Sequence, residues 1–286
     1  MTRPISTTGE DFLVDGVSLF TYAYAIGTLA GRERLPPIVG ENIRVPYRHG
    51  RVWKPKTYDE NVITLGMWVR GFDVNNNLPA RGEVAQYHSN IRALKRLFAP
   101  VGRQLSLTRY VLYNTGMEMH TALGEPASQL DFQPSAKALS TFTIDLRLAD
   151  PWWYGPQIVT PGITSAGATV WNPGDVDATQ LTIRFNGPLT QAMLINTSIT
   201  SGYGPGGNVI LILAQSVAAG HWVDVNTANF TAVDDTGASR ITYIAHQGTQ
   251  RWMILQPGNN VFTLSNWLGG AVGSGNVVIT YSPPYT

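Results

Sequence analysis

Cysteine is absent from the 286 residues, which excludes disulfide stapling and thiolate metal sites. Charge is scarce: Asp, Glu, Lys and Arg make up 14% of the chain, against about a quarter in ordinary globular domains. The scarcity is uneven. Residues 1–150 carry 17 Lys or Arg and 14 Asp or Glu, whereas residues 151–286 carry three Arg, five Asp and no Lys. The halves therefore net +3 and −2, and neither has the concentrated basic patch of a dedicated nucleic-acid binder. Long hydrophobic runs are missing too. No segment approaches bilayer length, so no membrane insertion is expected. The stretch MTRPISTTGEDF (1–12) lacks the apolar core of a signal peptide, so folding in the cytoplasm is expected.

What is present is turn chemistry and apolar periodicity. The chain holds 29 Gly and 18 Pro, but the segments between them are apolar and periodic, as in a folded protein with many turns. Short strands are expected within residues 11–30. NVITLGMWVRGFDV (61–74) alternates as a strand, and Asn75, Asn76 and Asn77 break it. One helix is expected at 83–99, where Val84, Tyr87, Ile91, Leu94 and Leu97 recur at three- and four-residue spacing before Pro100 and Gly102. Strands are expected again at 105–114, 117–123 and 138–150. In the last of these, Phe142, Ile144, Leu146 and Leu148 share one face.

PWWYGP (151–156) brackets three aromatics with Pro and Gly where the composition shifts. It marks the expected boundary between a domain of residues 1–150 and one of 151–286. The second half reads as strands throughout: 168–172, 180–186, 208–214, 221–226, 240–245, 251–256, 261–267 and 276–282. Turn signals separate them at 172–175, 186–187, 234–237 and 257–260. Short strands at this spacing, with no helix between them, indicate a β-sandwich or jelly roll.

Catalytic patterns are weak. The five histidines are His49, His88, His120, His221 and His246; none are spaced as metal ligands on a helix, and HExxH is missing. Asp235-Thr236-Gly237 imitates an aspartic-protease turn, but only one such triplet occurs, and that chemistry needs two carboxylates. A tight turn with local amide bonds is the simpler reading. The Gly-rich stretch 202–207 lacks the Lys and helix start of a phosphate loop. Asp175 with Asp177, or Asp234 with Asp235, lack EF-hand spacing. No metal, no cofactor and no enzymatic activity are expected.

Five stretches together resemble the distal tail protein of long, flexible-tailed bacteriophages, and the minor tail proteins of actinobacterial phages in particular. They are IRVPYRHGRVWKPKTYDENVITLGMWVRG (43–71), RALKRLFAP (92–100), TIDLRLADPWWYG (143–155), WMILQPGNNVFTLS (252–265) and VVITYSPPYT (277–286). The resemblance implies a mainly β fold. A β-barrel-like first domain would carry one helix, and an outward-facing β-sandwich of galectin-like or jelly-roll shape would follow. It also implies a homo-hexameric ring at the virion tail tip, joining the major tail tube protein to the tip hub (the tail-associated lysin). DNA would pass through that ring without specific binding.

Under that resemblance, Arg44, Tyr47, Arg48, Arg51, Trp53 and Lys54 form a basic, aromatic contact loop suited to a ring interface or to a channel lining. A solvated charged loop is the plainer alternative. A second function is carbohydrate-binding host adsorption, with a host cell-wall glycan stacked on exposed aromatics. Tyr203 and Trp222 are its candidates, whereas Trp252 alternates with Ile254 and reads as core.

Overall fold

The computed structural model describes residues 11–31, 35–41, 57–77, 82–99, 102–113, 116–199, 208–248 and 252–286. Its contacts divide the chain into two units, Met1–Tyr154 with Thr286, and Gly155–Tyr285.

In the first unit the order is β1 (Phe12–Val14), β2 (Val17–Ser18), β3 (Tyr24–Ala30), β4 (Ile38–Val39), β5 (Thr57–Tyr58) and β6 (Asn61–Arg70). Then come α1 (Glu83–Leu97), β7 (Leu105–Tyr113), β8 (Gly116–Pro126), β9 (Gln133–Ala136), β10 (Leu139–Leu148) and β11 (Trp153–Tyr154). The main sheet runs β2-β1-β7-β8-β10-β6-β3, with β9 on β10 and β11 on β8. A bridge between Phe20 and Ala25, and the Ile26 amide donating to the Leu19 carbonyl, bring the β2 end back to β3. The sheet therefore curls toward a barrel. β6 and β10 pair along ten residues each, with Met67 opposite Phe142, Leu65 opposite Ile144 and Ile63 opposite Leu146. All six of these side chains are buried, so the alternation legible in each strand becomes one continuous inner face.

α1 has no side-chain N-cap, but Glu83 in its first turn and Lys95 and Arg96 in its last complement the helix dipole. Its buried positions are Leu94 and a polar residue, Asn90. The Asn90 amide donates to the carbonyls of Arg70 (2.7 Å) and Phe72 (2.8 Å), which follow the end of β6. Tyr87 and Ser140 share a short hydroxyl hydrogen bond. Val84, expected on the packed face, is exposed. The face is centred on Tyr87, Asn90, Ile91 and Leu94, because the helix docks through Asn90 onto backbone carbonyls.

The second unit comprises β12 (Ile158–Val159), β13 (Ala168–Asn172), β14 (Leu181–Asn186), β15 (Ala192–Asn196), β16 (Val209–Leu213), β17 (Trp222–Asn226), β18 (Thr231–Asp234), β19 (Ile244–Gly248), β20 (Gly258–Asn266) and β21 (Asn276–Tyr281). They form two five-stranded antiparallel sheets, β12-β21-β14-β17-β18 and β13-β20-β15-β16-β19. One apolar core takes Ile183, Phe185, Val225 and Ile279 from the first sheet and Leu194, Leu211, Phe262 and Leu264 from the second. This is a β-sandwich.

Three expectations in this unit are corrected. Residues 251–256 are not a strand. Met253 and Leu255 are fully buried; Leu255 makes a single antiparallel bridge with Ala178 (2.8 and 3.0 Å), and asparagine side chains serve the backbone around it. Asn172 donates to Leu255 O (3.1 Å), Asn196 to Ile254 O (3.1 Å), and Asn260 both accepts from Gln256 N (2.9 Å) and donates to Gln256 O (2.8 Å). Residues 257–260 are not simply a turn, since β20 starts at Gly258 and Asn260 is fully buried. Residues 240–245 begin as a turn of 3-10 helix at Ile241–Tyr243, and the strand starts only at Ile244. The strands β12, β15 and β18 lie outside the expected set.

Candidate functional site

The β7–β8 hairpin has apolar side chains on both faces of an antiparallel ribbon. In register, Leu107 faces Ala122, Arg109 faces His120, Tyr110 faces Met119 and Leu112 faces Met117. One face turns inward and carries an unusual pair. Arg109 is 4% and His120 0% exposed. The Arg109 guanidinium sits 4.6 Å from the centre of the Trp153 ring and donates to the Thr286 carbonyl at 2.8 Å. Its Nη2 lies 3.4 Å from His120 Nδ1. A guanidinium only donates, so Nδ1 is the acceptor and the proton of the neutral imidazole is on Nε2. That atom faces the Glu118 carboxylate at 3.5 Å. Trp153 in turn meets Phe12 edge to face at 6.0 Å. A cation stacked on a desolvated indole is worth about 0.5–2 kcal/mol. This stack therefore anchors the root of the hairpin.

The other face is open. Leu112, Met117, Met119 and Leu123 are 60%, 58%, 42% and 54% exposed. β1 pairs with β7 only at Leu107–Arg109. β11 meets β8 at Thr121, and β10 meets it at Glu125 and Pro126. Among the described residues, Val111–Tyr113 and Gly116–His120 thus pair only with each other. Unpaired strand edges beside an exposed apolar face form a template for another strand. The sequence reading missed this surface. Its signal was present in the alternation of Leu112, and of Met117 with Met119.

The expected contact residues Arg44, Tyr47, Arg48, Arg51, Trp53 and Lys54 lie outside the described residues, as does Tyr203. Trp222 is half-buried on β17. The Arg184 guanidinium lies 4.2 Å from its ring centre, held there by a paired contact to Asp224 at 2.7 Å. One face of that indole is already covered. Trp252, expected in the core, is partly buried and packed against it, with its ring 5.3 Å from Phe230.

The Asp-Thr-Gly segment is a turn. Asp234, not Asp235, organises it, accepting from Thr236 Oγ1 (2.7 Å), Thr236 N (3.0 Å), Ala238 N (2.9 Å) and Arg240 Nε (2.8 Å). These bonds, Thr236 foremost and then Arg240, hold its carboxyl well below the usual carboxylate range. Asp235 instead pairs with His221 at 2.7 Å. Among the described residues, no three His, Asp or Glu groups cluster as a metal site, and no helix is long and apolar enough to cross a membrane.

A helix-bearing, barrel-like β unit whose β7–β8 hairpin has an exposed apolar face, followed by a β-sandwich, defines a two-unit β scaffold. No family model matches the sequence, and no curated protein matches it either. Among solved structures, the fold is that of the Dit protein (gp 19.1) of phage SPP1, described as a paradigm of the hub adsorption apparatus in phages infecting Gram-positive bacteria. The two share 15% identity at a TM-score of 0.66, over 97% of this chain and 99% of that one. The phage p2 baseplate in its activated conformation is matched with Sr at TM-score 0.42 and 7% identity, over 95% of this chain and 97% of that one. With Ca the values are 0.41, 8%, 95% and 98%. Likenesses this loose add nothing to the fold.

Proposed function

We propose that this protein is a non-enzymatic structural component of a long-tailed phage tail tip. Its first unit closes, copy to copy, into a hexameric ring that joins the tail tube to the tip hub around the DNA channel. The observation carrying this reading is the likeness to SPP1 Dit, which covers 97% of this chain and 99% of that one. The β7–β8 hairpin supports it physically. A ring of identical subunits needs a heterologous contact that closes by rotation. A ribbon with unpaired edges and an exposed apolar face supplies one half of such a contact. The proposed mechanism is mechanical: the ring keeps a channel open while the sandwich unit faces outward.

The expected partners are further copies of the chain, the tail tube protein and the hub protein. Transiting DNA would be tolerated rather than bound. Glycan stacking at Trp222 is not favoured, because Arg184 already occupies one face of the ring.

Light scattering over a concentration series, with negative-stain imaging, tests the ring. The expected species has six times the 31.2 kDa chain mass and a central opening. A strict monomer at every concentration, with and without tail tube protein, would overturn the ring assignment.

A further inference from the structure

A contact that closes a ring by rotation needs two different surfaces on each copy. The outer face of the β7–β8 tip is one. The first unit also carries an open groove across β3, β6 and β10, of about 520 Å3, lined by Gly27, Thr28, Gly66, Trp68, Thr141 and Thr143.

Local geometry makes this groove. The β3–β6 register shifts between Ile26 and Thr28, which leaves Gly27 outside the ladder. Opposite Thr28 lies Gly66, where a Cβ would meet Thr28 Oγ1 at 2.2 Å. Two positions without side chains therefore form the floor. On β10, Thr141 stands opposite Trp68 and Thr143 opposite Gly66. The Arg70 guanidinium lies 4.9 Å from the centre of the Trp68 ring, and its Nε donates to the Tyr22 carbonyl, which holds the indole in place. Asp131, also in the lining, accepts from the Gln133 side-chain amide. Beside the groove is a strand edge: among the described residues, Thr28–Ala30 pair only with β6.

The hairpin tip matches this surface in kind. Its outer face carries Leu112, Met117 and Met119 beside Tyr110, while Arg109 and Glu118 alternate onto the other face. Docking the tip in the groove would pair apolar surface with apolar surface and bury no unpartnered charge, which would be costly. A thioether against an indole adds a favourable sulfur–aromatic contact. Each surface also borders a strand edge open to pairing.

The tip does not reach the groove of its own unit. β8 meets β10 at Glu125 and Pro126, opposite Arg147 and Leu146. From that crossing the antiparallel strands carry Met117 one way and Thr143 the other. At about 3.3 Å per residue, they end on the order of 40 Å apart. The occupant of the groove is therefore a second copy.

We propose that the groove over Gly27 and Gly66 receives the β7–β8 tip of a neighbouring copy, with Leu112 and Met117 seated on the glycine floor against Trp68. This rests on the ring reading and supplies the other half of its repeating contact. Each copy offers one tip and one groove, so the series ends only where rotation closes it.

Thr141→Glu with Thr143→Glu charges the groove. Both side chains are exposed, so the circular dichroism spectrum should not change. This variant, and Leu112→Lys with Met117→Lys, are each expected to lose the high-mass species in light scattering when alone. Mixed in equal amounts, they are expected to associate again, at least to twice the 31.2 kDa chain mass, because an unaltered tip then meets an unaltered groove. A mixture that stays monomeric, or a groove variant that keeps the wild-type ring, would overturn this contact and leave the ring reading standing. A wild-type chain that is monomeric with and without tail tube protein would overturn both. Cross-linking gives a second measurement. The chain has no cysteine, so Met117→Cys with Thr143→Cys and a flexible bismaleimide reports on this pair alone. A ladder of covalent multimers up to six is expected, and a ring-forming double variant without that ladder would overturn the contact.

Discussion

Two residues of the first unit show how little room its packing leaves. Gly71 follows β6, and a Cβ there would lie 2.2 Å from the Glu83 carbonyl oxygen. The first turn of α1 is seated on its bare backbone. Gly71→Ala is expected to cost about 1–3 kcal/mol through overpacking, read as a lowered denaturant midpoint. Asn90 presents the converse case. It is a polar side chain in the middle of a helix face, kept because it serves two carbonyls. Asn90→Leu is expected to lose about 1–3 kcal/mol by leaving them without their donor. Asn90→Gln is expected to recover little, since its extra methylene misplaces the amide. Neither effect was legible in the sequence. Periodicity marked the helix, but identified neither the carbonyls beneath it nor the backbone at its start.

At the scale of elements, the β18 turn is governed by one carboxylate. The carboxyl of Asp234 is held below its ordinary value, about 3.9 when unfolded. A depressed pKa stabilises the fold above the unfolded value, and this contribution is lost as pH falls through the folded value. The contribution from this turn should therefore be constant from pH 7 to about pH 4 and decline only below that. Asp234→Asn should abolish that acid-side decline while lowering stability at neutral pH, as measured by urea unfolding across pH. Turn residues such as these were readable locally. The segment 252–257 was not, because buried asparagines from β13, β15 and β20 serve its backbone, and no local pattern reveals a donor that distant in sequence.

For the whole molecule, the surface proposed to join neighbouring copies is the outer face of β7–β8. Replacing Leu112 and Met117 together by Lys puts two charges where a neighbouring copy would pack, and burying them without partners is costly. The expected outcome is loss of the high-mass species in light scattering, with an unchanged circular dichroism spectrum, since both side chains are already exposed. If the variant assembles as before, the ring contact lies elsewhere on the unit.

Composition and periodicity by themselves determined the fold class: a cysteine-free, mainly β chain with one helix, whose charge-poor second half forms a sandwich. These properties are local, since alternation, turn residues and helix spacing act over a few residues at a time. Tertiary structure alone decided which face of β7 and β8 is wet. Arg109 and His120 go inward because Trp153, Thr286 and Glu118 receive them, and Leu112 and Met117 are consequently left outside. It also set Trp252 at the edge of the core, where it meets Phe230 on a loop stitched to Thr179 and Leu181. The physical reason is the same in each case. The free energy of a buried cation or an exposed aromatic depends on partners many residues away, and the chain's own pattern does not encode their approach.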